Sequence, residues 1–373
     1  AFYNCTGLRN ISFPSSLTSI GASAFSGCSS LTTVSIPDSV TNIGTYAFSG
    51  CTKLQYVHLP KGLTTMGYLA FGNCDSLKSI EIPKNLERTS TYNTSYADHL
   101  TNNGPFNGCD NLTDITFEEG TTQIAPYLFA NCPGLVTVTL PDSITSIGGY
   151  AFYSCANLTG VDMGDSVTTI GEHTFEGCKA LENIPLSRSL TTIGSYAFSN
   201  CDSLVKVEMP DTVITLGSHA YFDCGALAEV KLSKKLISMY GYTFYNCDAL
   251  TAIEIPKSLQ TTYEARYSNG GSWAYGPFIG CNGLKTVTFE EGATIVARGL
   301  LANLSELTSI VLPDSITSIG EYAFRDSKKL VSVTLSANTE TIGDSAFYNC
   351  TGLTEMDIPG SVTTIRGSAF SGC

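Results

Sequence analysis

Charge is what this chain has least of: Asp, Glu, Lys and Arg make up 14% of its 373 residues, against about a quarter in an average globular domain. The 20 basic residues are outnumbered by 33 acidic ones, a net charge of −13. Without clustered Lys and Arg, a nucleic-acid partner is excluded and docking on anionic lipid is disfavoured. No apolar run approaches the roughly 20 residues that a membrane-crossing helix needs, so direct membrane insertion is not expected. The opening Ala1-Phe2-Tyr3-Asn4-Cys5 is neither basic nor followed by an apolar core, so it does not read as a secretion leader. Tryptophan occurs once and histidine four times. Ser, Thr, Asn and Gly cover the surface that charge does not.

What is present is a period. Cysteines stand at 5, 28, 51, 74, 109, 132, 155, 178, 201, 224, 247, 281, 350 and 373, and nearly every gap is 23 residues. Gaps of 35 and 34 mark two insertions, and Leu304 and Ser327 fill the two slots between Cys281 and Cys350. All 14 cysteines therefore share one structural position. A period of 20 to 29 residues with leucine anchors is the signature of leucine-rich repeats.

The unit from Leu31 to Lys53 shows the logic. Leu31-x-x-Val34-x-Ile36-Pro37 predicts a short strand with Val34 and Ile36 inward, ended by a proline that cannot donate to a ladder. Val40-x-x-Ile43-Gly44 returns across the body, with Gly44 expected to permit a tight bend. Ala47-Phe48-x-x-Cys51 is expected to close the coil as a short helical turn. The leucine slot is Leu in all 15 units, and the aromatic slot is Phe in 14 of 16, with Tyr221 and Leu301 as exceptions. One coil cannot bury this apolar set; stacking creates the core. The expected fold is a right-handed leucine-rich-repeat solenoid, residues 1–373 as a single array of about 16 coils. It would carry a parallel sheet on one face and short helical turns, mostly β and irregular. Because both ends stop in phase without a polar cap, the chain reads as a segment of a longer protein.

The unit L-x-x-V/I-x-I/L-P-x-x-V/L-T-x-I-G-x-x-A-F-x-x-C resembles the BspA-like (Treponema-type) leucine-rich repeats, over the whole chain. That resemblance implies a bacterial surface or secreted protein of anaerobic, often mucosal, habitats. It also implies adhesion to host matrix proteins or to other microbes.

The cysteines invite a metal or disulfide reading, but one Cys per coil gives a ladder, not the converging short-spaced ligands of a zinc site. Coils about 4.8 Å apart fall within disulfide reach. Parallel side chains in register point the same way, however, which favours buried structural thiols. His173 and His219 share a slot two coils apart, and no Ser/His/Asp or Cys/His group places base and nucleophile in reach. No metal, no cofactor and no catalytic residue is expected. That slot holds Tyr127, Tyr150, His173, Tyr196, His219 and Tyr242 in six consecutive coils, an aromatic stripe covering the core edge or, alternatively, a binding ridge. Asp114, Asp162, Glu208, Glu229, Glu254, Glu355 and Asp357 occupy outward strand positions, relieved by Lys206 and Lys231. They are spread along a sheet, unlike the facing acids of a glycosidase.

Subtracting the core leaves the insertions, near 87–105 and 260–277. Both follow Ile-Glu-Ile-Pro-Lys and rejoin at Gly-Pro-Phe, so they leave one edge about 34 Å apart at strand spacing. The chain thus contains a duplication of seven coils plus one insertion, with Glu118-Glu119-Gly120 and Glu290-Glu291-Gly292 replacing the usual turn after each. Exposed aromatic loops on a rigid scaffold are where binding concentrates. The candidate contact residues are Tyr92, Tyr96, Tyr263, Tyr267, Trp273 and Tyr275. A protein partner is expected first, with a glycan at the Trp273 loop or a passive spacer role as alternatives.

Overall fold

The computed structural model describes residues 1–89, 103–263 and 276–373. They fall into two compact units, Ala1–Ser187 and Arg188–Cys373, each a stack of the same coil. The expected strand is present: Thr33–Ser35 pairs in parallel with Tyr56–His58, Val34 opposite Val57, and buries only its central residue. In the second unit Lys206–Glu208 pairs with Glu229–Lys231 in the same way.

The return segment also pairs, which the sequence reading did not anticipate. In the first unit Ser19–Ile20, Asn42–Ile43, Thr65–Met66 and Arg88–Thr89 make a four-stranded parallel sheet. In the second, Ile295–Val296, Ser318–Ile319, Thr341–Ile342 and Thr364–Ile365 make another. Each of these strands is two residues long, too short for alternation to reveal. Threonine hydroxyls reinforce the ladder: Thr64 Oγ1 donates to the Thr41 carbonyl and Thr168 Oγ1 to that of Thr145.

The segment that closes each coil is not helical, and the bonding shows why. Ala47, Ser49 and Cys51 donate their N–H groups three residues back, to Gly44, Tyr46 and Phe48. The alternate residues Tyr46, Phe48 and Gly50 donate instead to Tyr68, Ala70 and Gly72 of the next coil, at 2.7 to 2.9 Å. A helix would keep all of these bonds to itself. The zigzag requires left-handed backbone twice per coil, at Tyr46 (φ 56°) and Gly50 (φ 73°). The residue before the cysteine slot has positive φ in all 16 coils and is always Gly, Asn, Asp or Ser, from Asn4 to Gly372, residues that are suited to that region.

Gly44 serves a different purpose from the bend expected of it. Its φ is not in the left-handed region, but a Cβ there would lie 2.6 Å from the Ala22 backbone nitrogen. At Gly67 the gap to the Thr45 nitrogen would be 2.3 Å. The glycine lets one coil's backbone touch the next.

Phenylalanines stack through the middle: Phe25 on Phe48 and Phe48 on Phe71, each at 5.1 Å and nearly parallel. Tyr221 continues the row between Phe198 and Phe244, and its hydroxyl is buried with no hydrogen-bond partner. Tyr221→Phe is therefore expected to raise stability by about 1 kcal/mol, since an unsatisfied buried hydroxyl costs about that much. An unchanged or lower denaturation midpoint would count against this. Beside the ring ladder the buried thiols donate to the aromatic residue's carbonyl one coil back, as Cys155 to Phe129 (3.1 Å) and Cys224 to Phe198 (3.0 Å). Ser327 makes the same bond to the Leu301 carbonyl at 2.9 Å. Leu304 fills the slot without such a bond, so the position requires burial first, and the cysteines are free thiols.

Candidate interaction surface

The insertions leave both units by the same route. In the first unit the two-residue ladder ends at Arg88–Thr89, and Gln123–Ile124 begins a new one. The other face stays closed: Ser79–Ile82 pairs directly with Asp114–Phe117 over four residues, longer than any strand pair before it. In the second unit Ala252–Ile255 pairs with Thr286–Phe289 in the same manner. Thr89 Oγ1 donates to the Pro126 carbonyl, and Thr262 Oγ1, at the matching position, donates to that of Arg298. Each insertion is thus tied at its base to the coil that follows it.

On rejoining, Gly104 and Gly276 pass so close to the next coil that a Cβ would lie 2.0 Å from the Tyr127 carbonyl oxygen and 2.6 Å from that of Gly299. Phe106 then stacks on Phe71 (5.6 Å) and Phe278 on Phe244 (5.4 Å). The core runs past both insertions without a break.

Of the six candidate contact residues, Tyr263 is described. It ends the strand Thr261–Tyr263, is 47% exposed, and its ring lies 4.9 Å from that of Tyr240. Tyr92, Tyr96, Tyr267, Trp273 and Tyr275 lie outside the described residues.

The tyrosine–histidine stripe is continuous within each unit. Tyr127 stacks on Tyr150 (4.5 Å) and Tyr150 on His173 (4.4 Å); in the second unit Tyr196 stacks on His219 (4.4 Å) and His219 on Tyr242 (5.0 Å). The ring faces cover one another, which removes the flat platform that a sugar would need. Burial, with help from Tyr127 and the acids Glu176 and Glu172, pushes the Tyr150 phenol up to about 12. His173 Nδ1 bonds Glu176 within its own coil. These features fit the edge-covering role. All six residues adopt positive φ, a requirement that their aromatic identity does not announce.

One contact departs from the spacing argument: Ser218 Oγ lies 2.6 Å from His219 Nδ1. The two are chain neighbours, and His219 is buried between two rings, so the pair faces no open cleft. Among the described residues no group of three His, Cys, Asp or Glu side chains comes together as a metal site would require.

On the strand face Asp114, Asp162, Glu208, Glu229 and Glu254 are exposed as expected. Lys206 pairs with Glu208 at 2.8 Å and Glu229 at 3.3 Å. Glu355 and Asp357 are exposed but lie outside any strand, because the last coil does not pair there. No helix of the described residues is long and apolar enough to cross a membrane.

Stacked coils with a parallel strand ladder, a leucine anchor and a phenylalanine row define a leucine-rich-repeat protein. The match to the model of the BspA type leucine rich repeat region takes in residues 1–101, 99–228, 191–274 and 274–373, and the chain belongs to that family. Among solved structures it is similar to a leucine-rich repeat protein from Bacteroides ovatus, with 26% identity and a TM-score of 0.55 over 96% of this chain and 80% of that one. It is also similar to a leucine rich cell surface protein from Faecalibacterium prausnitzii, with 25% identity and a TM-score of 0.43 over 92% and 87% of the two chains. A third is the pneumococcal vaccine antigen PcpA, with 19% identity and a TM-score of 0.45 over 94% and 79%. No curated protein matches the sequence.

Proposed function

We propose that this chain is a non-enzymatic interaction module, displayed on or secreted from a bacterial cell, that binds a protein partner through its strand face and two insertions. The observation that carries this reading is the repeated root. Two units place an insertion at the same coil, anchor it with the same threonine bond and rejoin it through the same close-packed glycine. The seven coils are duplicated together with the insertion, and both copies keep the ties at its root. Family membership supports the surface setting. Tyr92, Tyr96, Tyr263, Tyr267, Trp273 and Tyr275 are the proposed contacts, because buried Tyr and Trp anchors dominate protein interfaces.

The test is surface plasmon resonance of the chain over a panel of immobilised extracellular-matrix proteins and bacterial surface proteins. It is repeated with Tyr263, Tyr267, Trp273 and Tyr275 all replaced by alanine. Binding to at least one panel member is expected, weakened about a hundredfold or more in the variant, since one interface anchor is worth about 2 kcal/mol or more. The melting temperature should not change. Undiminished binding by the variant, or no binding across the panel, would remove the proposal.

A further inference from the structure

The duplication reaches beyond the insertions to a pair of small grooves on the strand side, one wholly within each unit. The groove in the first unit has a volume of about 170 Å³ and is lined by Val57, Leu59, Lys61, Glu81, Pro83 and Glu118, among others. The one in the second unit, about 120 Å³, is lined by Val230, Leu232, Lys234, Glu254, Pro256 and Glu290. These six residues are the same types in the same order, and the one remaining lining position of the second groove, Lys231, corresponds to His58. The rest of the lining is not kept: Tyr56 and Ser79, which also line the first groove, correspond to Glu229 and Ala252.

The turn residues beside the grooves are held in the same way twice. The Lys61 N–H donates to Asp38 Oδ1 at 2.9 Å, and that of Lys234 donates to Asp211 Oδ1 at 3.0 Å. One coil on, the Lys84 N–H donates to Glu118 Oε2 at 3.0 Å and that of Lys257 to Glu290 Oε2 at 3.1 Å. The same two glutamates meet the lysine ammonium groups at 3.8 and 3.7 Å. Glu118 and Glu290 are therefore satisfied by the protein itself. Lys61 and Glu81, with their counterparts Lys234 and Glu254, are exposed and make no ion pair among the described residues. Asp38, Asp142, Asp211 and Asp314 hold the same slot in other coils, whereas Lys84 and Lys257 hold it one coil on from Lys61 and Lys234.

We propose that each groove is a docking site for an extended peptide segment of a protein partner that presents an acidic side chain to Lys61 or Lys234 and a basic one to Glu81 or Glu254. The inference rests on the protein-binding reading above and supplies the partner's chemistry. Small-molecule sites usually enclose about 300 Å³ or more; these grooves hold one or two side chains over an apolar floor. The first crosses three successive coils, about 10 Å at strand spacing, which an extended segment of about three residues spans. Lys61 and Glu81 stand on adjacent coils, and their opposite charges set the direction in which the segment lies.

Isothermal titration of the whole chain with two capped nonapeptides in a Ser/Thr background, one carrying Asp-x-Arg and one Asp-x-x-Arg, tests this. At least one is expected to bind at two sites per chain, and neither should bind when its charged residues are alanine. Lys61→Ala with Glu81→Gln is expected to leave one site, Lys234→Ala with Glu254→Gln the other, and all four substitutions none. Two exposed charge pairs at about fivefold each make the loss about twentyfold per groove. All four residues are exposed, so an unchanged melting temperature confirms folding. No binding by either peptide, a single site, or two sites indifferent to the substitutions would overturn the proposal. The insertion variant with four alanines is expected to keep both peptide sites. Partner binding without peptide binding would therefore sink this inference alone, whereas an empty protein panel would sink the reading beneath it.

Discussion

Raising the pH from about 9 to 12 is expected to unfold this protein steeply, because its core is lined with thiols that cannot ionise in place. Burial pushes Cys51, Cys155, Cys224 and Cys350 up to about 12, and it also raises Cys74, Cys132 and Cys178 well above the ordinary thiol value. In an unfolded chain the same groups titrate near 8.5 to 9. The folded state thus holds protons that the unfolded state releases, so stability is complete below about pH 9 and falls as the pH climbs toward the folded value. Each such thiol contributes a slope of about 1.4 kcal/mol per pH unit, and the first four alone give roughly 5. Over two units those four remove about 11 kcal/mol, which lies within the range of about 5 to 15 kcal/mol that total stabilities span, and the other buried thiols add to the loss. Circular dichroism against pH is the measurement. Cys155→Ser and Cys224→Ser together should move the midpoint upward, since serine does not titrate and Ser327 already fills the slot with the same bond. A fold that persists to pH 12, or a midpoint indifferent to the serines, would contradict the argument.

The same ladder marks how much of the structure was legible beforehand. The 23-residue spacing from Cys5 to Cys74 and the recurring Phe identified the core slots, because a buried position that repeats in space repeats in residue type. The strand at Val34 and Ile36 was legible by alternation. The second ladder was not, since Asn42–Ile43 is two residues long and carries no period of its own. A signal was present but unread in Asn200, Asp223 and Asn246, each immediately before a cysteine slot. A row confined to Gly, Asn, Asp and Ser marks left-handed backbone, and two such positions per coil rule out the helical turn that was expected. Tyr150 and His173 hid the second of them, because aromatic side chains rarely advertise φ near 60°.

The candidate site was legible in its frame and not in its chemistry. Ile-Glu-Ile-Pro-Lys and Gly-Pro-Phe mark where each insertion departs and returns. The ties from Thr89 to Pro126 and from Thr262 to Arg298 join residues that no local pattern relates. The grooves were hidden for a similar reason: Lys61 and Glu81 stand on different coils and meet through stacking alone. Surfaces built across coils carry little signal within any one of them.

Stacking also governs the second large effect, expected for Phe152→Ala. The Phe152 ring is fully buried and lies 5.6 Å from Phe129 and 5.4 Å from Phe175, so truncation empties a stretch of the ring column that neither neighbour can fill. Phe→Ala in a packed core costs about 3 to 5 kcal/mol, and the stacking contacts add to the area term. In a repeat array that loss falls mainly on nearest-neighbour interfaces. The coils around Phe152 should therefore open more often than coils further along the same unit. The thiols report this directly: Cys132, Cys155 and Cys178 flank the lesion, whereas Cys28 and Cys51 stand several coils away. Timed alkylation at neutral pH, followed by peptide mapping, should find the three flanking thiols modified well before the two distant ones. In the parent chain all five should resist, as buried thiols held above their ordinary pKa do. Equal rates at all five in the variant would mean that the unit opens as one body, and the nearest-neighbour account of its stability would have to be given up.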